Sequence, residues 1–389
     1  MDSAAPELRL VEGLAELQAL RVALAHYWLV TWRGGEKVLA SMLKLFPHSD
    51  LYTLFYSPGR IGPYVEGHRV YSSALDLSFA RRHYQKMFPF YPAAVKSLAL
   101  QGDYDLLISS ESGPIKGIAN PKGLPHLCYI HSPMRYCWVD RQSYLDRVPQ
   151  RLRNFADVQF ERLKRYDLST IDAPDRYVAN SHNVAGRVER FYHRPAGVCH
   201  PPIELDLFKG PLSPGGGDFY LSFGALTPYK RVDLLVEVFN QNGKPLKIIG
   251  EGSELKALKA IAGPNITFTG ALEHQELNRQ LKGARALLFP GDEDFGMIPL
   301  EVMARGIPVV AYRAGGALET VLESPEGAAH SSGLFFDQQT PDSLAEALER
   351  FEAVEQDFDP AKIREHARQF GEDRFLACLA QEVRSLLKL

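Results

Sequence analysis

The stretch ALLFPGDEDFGMIPLEVMARGIPVVAY, Ala286 to Tyr312, decides the fold. Its opening run ALLFP (286–290) is a buried strand by composition, and the polar loop GDED follows it. Pro299 suits the first turn of a helix, where a missing N–H costs nothing. Gly306 ends that helix, and PVVAY (308–312) starts another strand. Strand, loop, helix and strand in this order make the repeating unit of a parallel α/β sheet. Ligands of open α/β sheets sit beyond the carboxyl ends of the strands. Glu293 in the loop and Glu301 in the first helical turn are therefore the first site candidates. The helix start offers amides and a positive dipole end, a seat for phosphate. The plainer role for Glu301 is to satisfy those amides itself.

The same alternation extends in both directions. FYLSF (219–223), LKIIG (246–250) and ITFTG (266–270) are strands, with helices from about Lys230, Ser253, His274, Pro299 and Ala317. Upstream, KGPLSPGGGD (209–218) has no periodicity and is a linker by its Gly and Pro content. Before it come the strands RVALAH (21–26), LYTLF (51–55), DLLISS (105–110), HLCYIH (126–131) and YVANS (177–181). A helix is expected from Glu36 to about Phe46, and a long helical stretch runs through LRNFADVQFERLKRYDLSTIDA (152–173). The fold class is α/β, with two doubly wound, Rossmann-like domains. The expected division is 1–205 and 206–371, with a terminal helix 372–389 returning to the first domain. The shared ligand site is expected in the cleft between them.

Composition narrows the function. The 389 residues are 45% hydrophobic and 23% charged, as in ordinary globular chains. Lys+Arg number 44 and Asp+Glu 47, a net charge of -3, which argues against nucleic acid as a partner. No apolar run is long enough to span a membrane. The acidic start MDSAAPELRLVEGLAELQAL lacks the apolar core of a secretory signal, and its leucines suggest a short helix. Cys128, Cys137, Cys199 and Cys378 form no CxxC pair, which argues against a disulfide framework or zinc site and for a reducing, cytoplasmic setting. No cofactor and no metal is expected.

Other segments add chemistry. In SFGALTPYKRVDLLVEVF, Gly224 ends a strand, and Lys230 and Arg231 open the next helix. Cations there oppose the helix dipole, which a bound anion explains; two solvated basic residues are the simpler alternative. In HYWLVTWRGGEKVL, Gly34 and Gly35 let backbone approach a ligand, or make a plain tight turn. In CYIHSPMRYCWVD, His131 ends a strand and Arg135 follows in a loop able to grip a polar ligand. The segment RRHYQKMFPFYPAAVKSLAL (81–100) mixes Arg81, Arg82, Lys86 and Lys96 with Phe88, Phe90 and Tyr91. It suits an acceptor or membrane surface, though an ordinary packed helix with a solvated side is the simpler alternative.

Together these segments resemble the retaining family-four glycosyltransferases, whose two Rossmann-like domains form the GT-B fold. The resemblance runs from RVALAH to the terminal helix. Its most specific part is Glu293 and Glu301 within EDFGMIPLEVMARGIPVV, followed by AGG (314–316), with LTPYKRVDLL, FTGALEHQEL and VCHPPIELDLF in support. HSPMRYCWVD and ALTPYKRVD are most similar to bacterial mannosyltransferases of surface polysaccharides. The resemblance implies an acceptor-binding first domain and a nucleotide-sugar-binding second domain. It implies Glu293 at the donor sugar, Glu301 at the ribose, Lys230 at the leaving diphosphate, and Gly34 and Gly35 near diphosphate and acceptor. It also implies His131 near the donor sugar and the backbone of Phe295, Gly296 and Met297 facing sugar hydroxyls and phosphate. The implied partners are a nucleotide diphosphate sugar, with GDP-mannose the first choice, and a glycan or lipid-linked acceptor. One position departs from the pattern: the family commonly has Arg five residues before Lys230, and here Ala225 stands there. Arg231 is one expected substitute; a charge supplied by the acceptor domain is the other.

Competing readings remain. Asp292-Glu293-Asp294 is a DxD, the mark of metal-dependent transferases with one such domain, but FGMIPLE accounts for the carboxylate without a metal. Gly250-x-Gly252 resembles a dinucleotide fingerprint, but Leu255 occupies the third glycine position. A non-catalytic nucleotide-sugar-binding protein and an epimerase are alternatives on the same fold.

Overall fold

The computed structural model describes residues 5–213 and 216–389; linker residues 214 and 215 lie outside the described residues. The chain forms two compact units. The first takes the residues up to Pro202 together with Glu372–Leu389, and the second is Ile203–Gly371.

The first unit holds seven strands: β1 Val22–His26, β2 Ser49–Thr53, β3 Val70–Ser72, β4 Leu106–Glu111, β5 His126–Ile130, β6 Arg176–Ala179 and β7 Ala196–Val198. They are ordered β3-β2-β1-β4-β5-β6-β7, and every pairing is parallel. The order reverses between β1 and β4, the place where such sheets open a crevice. The second unit repeats the plan with β8 Phe219–Phe223, β9 Leu246–Ile249, β10 Ile266–Gly270, β11 Ala284–Phe289, β12 Val309–Tyr312 and β13 Gly333–Phe336. Its order, β10-β9-β8-β11-β12-β13, reverses between β8 and β11. The central strands are buried on both faces; β1 and β4 are buried at every residue, including the polar residues His26, Ser109, Ser110 and Glu111 at their carboxyl ends.

The helices that matter below are α1 Gly34–Leu45, α2 Arg153–Leu168, α3 His182–Tyr192, α4 Val232–Asn242, α5 Met297–Met303 and α6 Glu372–Leu387. α6 returns to the first unit. Phe375, Leu376, Leu379, Ala380 and Val383 pack into the same core as Leu24, Leu39 and Ile108. Glu372 accepts bonds from Ser41 at 2.6 Å and Lys44 at 2.8 Å. In the second unit, Ile203 N–H donates to the Phe370 carbonyl at 2.9 Å, so the outgoing and returning chain lie side by side.

Several expectations change. Cys199 and Cys378 form a disulfide, with Cα atoms 5.8 Å apart. Their separation of 179 residues concealed it, and the return of α6 brings them together. α1 begins at Gly34, two residues before the expected start: extended Arg33 is its cap, and Glu36 accepts the Arg33 N–H at 3.0 Å. α5 begins at Met297, so Pro299 is its third residue and Glu301 its fifth, beyond the first turn. Segment 81–100 is no single helix. A short helix Ser78–Arg82 is followed by a 3-10 stretch Tyr84–Phe90 and a helix Tyr91–Ser97. Tyr91 is buried and Phe88 packs on Phe160, ring centroids 4.9 Å apart; Phe90 is exposed, joined by Leu77 and Phe79. No helix among the described residues is long and apolar enough to cross a membrane.

Candidate functional site

In the second unit a pocket opens where the strand order reverses. The residues after β8 (Gly224, Ala225, Leu226 and Lys230) and after β11 (Pro290, Gly291 and Glu293) line it. Gly224 leaves β8 at φ +131°, a conformation that L side chains rarely adopt. Its neighbour Gly250 lies so close that a Cβ there would stand 1.9 Å from the Gly224 carbonyl oxygen. The chain then makes a 3-10 turn, Pro228–Lys230, and Arg231 adopts the left-handed conformation before α4. That turn sends the Lys230 side chain back into the pocket, where Nζ lies 2.7 Å from Glu293 Oε1. The side chains are 12% and 18% exposed. The contact is ionic rather than an aligned hydrogen bond, since Oε1 has no partner of hydrogen-bond geometry. Thr227 Oγ1 nearby in sequence is buried with no hydrogen-bond partner among the described residues.

The loop after β11 is held by AGG. Gly316 N–H donates to the Glu293 carbonyl at 2.8 Å, and a Cβ on Gly316 would fall 2.1 Å from Phe295 Cα. These glycines let one backbone lie directly against another. Gly296, at φ +95°, turns the chain into α5. Phe295 is buried, while Met297 and Glu301 are half-buried.

Each of the two cations has a protein partner. Lys230 meets Glu293, and Arg231 reaches Asp233 at 3.1 Å and Gln339 at 3.4 Å. Arg231 does not line the pocket, and Ala225 does. The expected replacement of the missing arginine by Arg231 therefore does not follow from where its guanidinium sits.

The first unit has its own polar cluster at the β1/β4 reversal. A Cβ on Gly35 would lie 2.6 Å from the Tyr27 hydroxyl and 3.6 Å from His26 Cε1. The Tyr27 and His131 ring centroids are 6.2 Å apart. Gly34-Gly35 and His131 are thus gathered around His26 and Tyr27, two residues the sequence reading passed over. Their only signal was polarity at the end of an apolar strand. His131 is partly exposed, yet burial of its ring pushes the pKa down to about 4. Burial also holds His26 well below its usual range, with His131 contributing. Glu36, buried beside Arg33, is pushed up to about 7 by desolvation. On the opposite face of the sheet, Glu111 ends β4 and burial pushes it up to about 8. Its neighbours Lys116 and Asp167 form a fully buried ion pair, and Trp138 and Tyr192 donate to Asp167 at 2.8 and 2.7 Å.

The proposed acceptor-side cations are uneven. Arg81 pairs with Asp76 at 2.8 Å and Arg135 with Asp140 at 2.6 Å, whereas Arg82 and Lys86 are exposed.

Comparison with known proteins agrees with this architecture. Residues 205–372 match the family described as Glycosyl transferases group 1, and residues 32–207 match Glycosyltransferase Family 4. A GDP-mannose-dependent alpha-mannosyltransferase of Corynebacterium glutamicum is 30% identical over 146 residues, 36% of this chain and 35% of its own length. Its counterpart in Mycobacterium tuberculosis is 28% identical over 151 residues, 37% and 38% of the two chains. The matches thus span less than two fifths of these relatives. Among solved structures, sucrose-phosphate synthase from Thermosynechococcus elongatus superposes with a TM-score of 0.70 at 18% identity, covering 95% of this chain and 99% of that one. Anabaena HepE, solved with UDP and glucose, gives 0.68 at 14% identity, covering 94% and 99%. At these identities the likeness is one of fold.

Proposed function

We propose that this chain, which belongs to glycosyltransferase family 4, transfers a mannosyl residue from GDP-mannose to a sugar hydroxyl with retention at the anomeric carbon. The observation that carries the reading is the Lys230–Glu293 pair, held in the pocket where β8 and β11 diverge. A leaving nucleoside diphosphate gains negative charge as its bond to the anomeric carbon lengthens. Lys230 is the one cation lining that pocket among the described residues, and its charge stabilises the leaving group. Glu293 sits beside it, to orient sugar hydroxyls and to offset the positive charge growing on the ring. The acceptor oxygen bonds to the anomeric carbon on the face the diphosphate leaves, and its proton passes to a phosphate oxygen. In this reading the second unit binds the donor, with Gly224, Phe295, Gly296, Met297 and Glu301 around it. The first unit binds the acceptor, with Gly34, Gly35 and His131 at the reacting end.

The GDP-mannose choice is supported by relatives described as GDP-mannose-dependent. The exposed apolar and basic residues Phe79, Arg82, Lys86 and Phe90 suit a lipid-linked acceptor and contact with an anionic bilayer. The reaction as drawn needs no metal. Calorimetric titration with GDP, UDP, GDP-mannose and UDP-glucose tests the donor, and tighter binding of UDP than GDP refutes it. Activity lost in EDTA and restored by manganese refutes metal independence. Conversion of donor without any acceptor favours an epimerase, and no conversion with either favours a binding protein.

A further inference from the structure

The reversal point of the first sheet carries a polar chain that crosses three strands. β1, β4 and β5 are neighbours, and His26, Ser110 and His131 stand at or just beyond their carboxyl ends. His26 Nδ1 lies 3.0 Å from Ser110 Oγ, and the same oxygen lies 2.8 Å from His131 Nε2. His26 and Ser110 are fully buried. His26 Nε2 is buried too, with no hydrogen-bond partner among the described residues.

A serine hydroxyl has one hydrogen to give. Placed between two neutral imidazoles, it donates to one ring and accepts from the other. Because the hydroxyl faces Nδ1 of one ring and Nε2 of the other, the two rings must then hold the same tautomer, both Nδ1–H or both Nε2–H. In one arrangement His26 donates from Nδ1, Ser110 donates to His131 Nε2, and His131 carries its hydrogen on Nδ1. In the other, His131 donates from Nε2, Ser110 donates to His26 Nδ1, and the His26 hydrogen moves to Nε2. The second arrangement buries an N–H with no acceptor. The first leaves a bare ring nitrogen there, and buried donors without partners are the rarer and costlier defect.

We propose that Ser110 and His26 are positioning residues that fix His131 as the Nδ1–H tautomer, so that it presents a hydrogen-bond donor to an oxygen of the substrate. No described protein atom takes that Nδ1 hydrogen. The substrate role rests on the functional reading given above, whereas the tautomer does not.

Histidine-labelled protein decides it by long-range proton–nitrogen correlation at neutral pH. The expected wild-type His131 has its hydrogen on Nδ1 and a bare Nε2. Ser110→Ala should shift His131 toward the Nε2–H form, and Ser110→Thr, which keeps the hydroxyl, should restore the signature. Ser110→Ala should also lower kcat about tenfold or more while the KM for donor stays within about twofold. A thermal melt of each variant checks that it is folded. A wild-type His131 carrying its hydrogen on Nε2, or an Ala variant with an unchanged signature, overturns the inference whatever the reaction. The expected tautomers with an unchanged kcat in Ser110→Ala overturn the positioning role. If wild-type protein transfers no sugar from any donor, the functional reading fails and the nitrogen signature alone judges the relay.

Discussion

Replacing Lys230 with Met removes a cation 2.7 Å from Glu293. Two unit charges that close attract by about 6 kcal/mol at an effective dielectric of about 20. With side chains 12% and 18% exposed, both groups have already given up most of their hydration. When the lysine goes, the carboxylate keeps its desolvation cost and loses its compensation. Breaking a buried pair from one side costs about 3–5 kcal/mol. The remaining exposure of Glu293 lets water screen part of that, which brings the expected loss to about 2 kcal/mol. In a unit of this size such a loss lowers Tm by about 4–8 °C. A second substitution, Glu293→Gln, removes the stranded charge, so K230M/E293Q should be about 1 kcal/mol more stable than K230M alone. Urea unfolding of the four proteins, treated as a double-mutant cycle, measures the coupling. A K230M protein as stable as wild type, or a double variant that loses the sum of the two single effects, refutes the reasoning.

Glu293→Gln should lower turnover by about a hundredfold or more, with donor affinity largely kept; an unchanged turnover number ends its assignment. Glu111, raised to about 8 from 4.5, contributes stability that is complete below about pH 4.5 and lost as pH rises through 8. The Tm of Glu111→Gln relative to wild type should therefore climb between about pH 5 and pH 8, and a flat difference contradicts the buried neutral carboxyl. Gly250→Ala places a Cβ against the Gly224 carbonyl at φ +138° and should cost about 3 kcal/mol or more. Gly327→Ala, at φ +99° with nothing nearby, carries the backbone strain alone and should cost about 1–3 kcal/mol, so a Gly250→Ala protein no less stable than Gly327→Ala contradicts the close-approach reading.

The strands that were legible are those whose apolar, β-branched and aromatic content is bounded by turn residues. FYLSF matches β8 residue for residue, a mostly apolar run closed by Gly224; ITFTG matches β10 as well, although it is a half-exposed edge strand, because its β-branched and aromatic residues end on Gly270. β3, β7 and β13 were missed. β3 and β7 are three-residue edge strands, half-buried or exposed, too short to show a period, and β13 is four residues of the far edge. Glu293 and Lys230 were found because both follow strands, and strand ends are where a sheet gathers side chains from distant sequence. Their pairing was not found, since it depends on the 3-10 turn at Pro228–Lys230. Asp233, two residues from Arg231, was visible in the sequence, but its pairing with Arg231 was not anticipated. His26 and Ser110 are register partners across β1 and β4, 84 residues apart. Their meeting is a property of strand order, which periodicity does not encode.

The bond between Cys199 and Cys378 has a topological result. The chain leaves the first unit after Pro202 and re-enters at Glu372, so the second unit is an insertion, and the two sulfurs lie just outside its two roots. The polypeptide between them is a closed covalent loop carrying a whole sheet and its helices. A protease that cuts once anywhere in that loop opens the ring without severing the molecule: both products stay attached through sulfur until a reductant releases them. When the insertion unfolds, its ends stay pinned together, which shrinks its unfolded ensemble and favours refolding in place. Such a loop behaves as a tethered module whose unfolding need not detach α6 from the unit on which it packs.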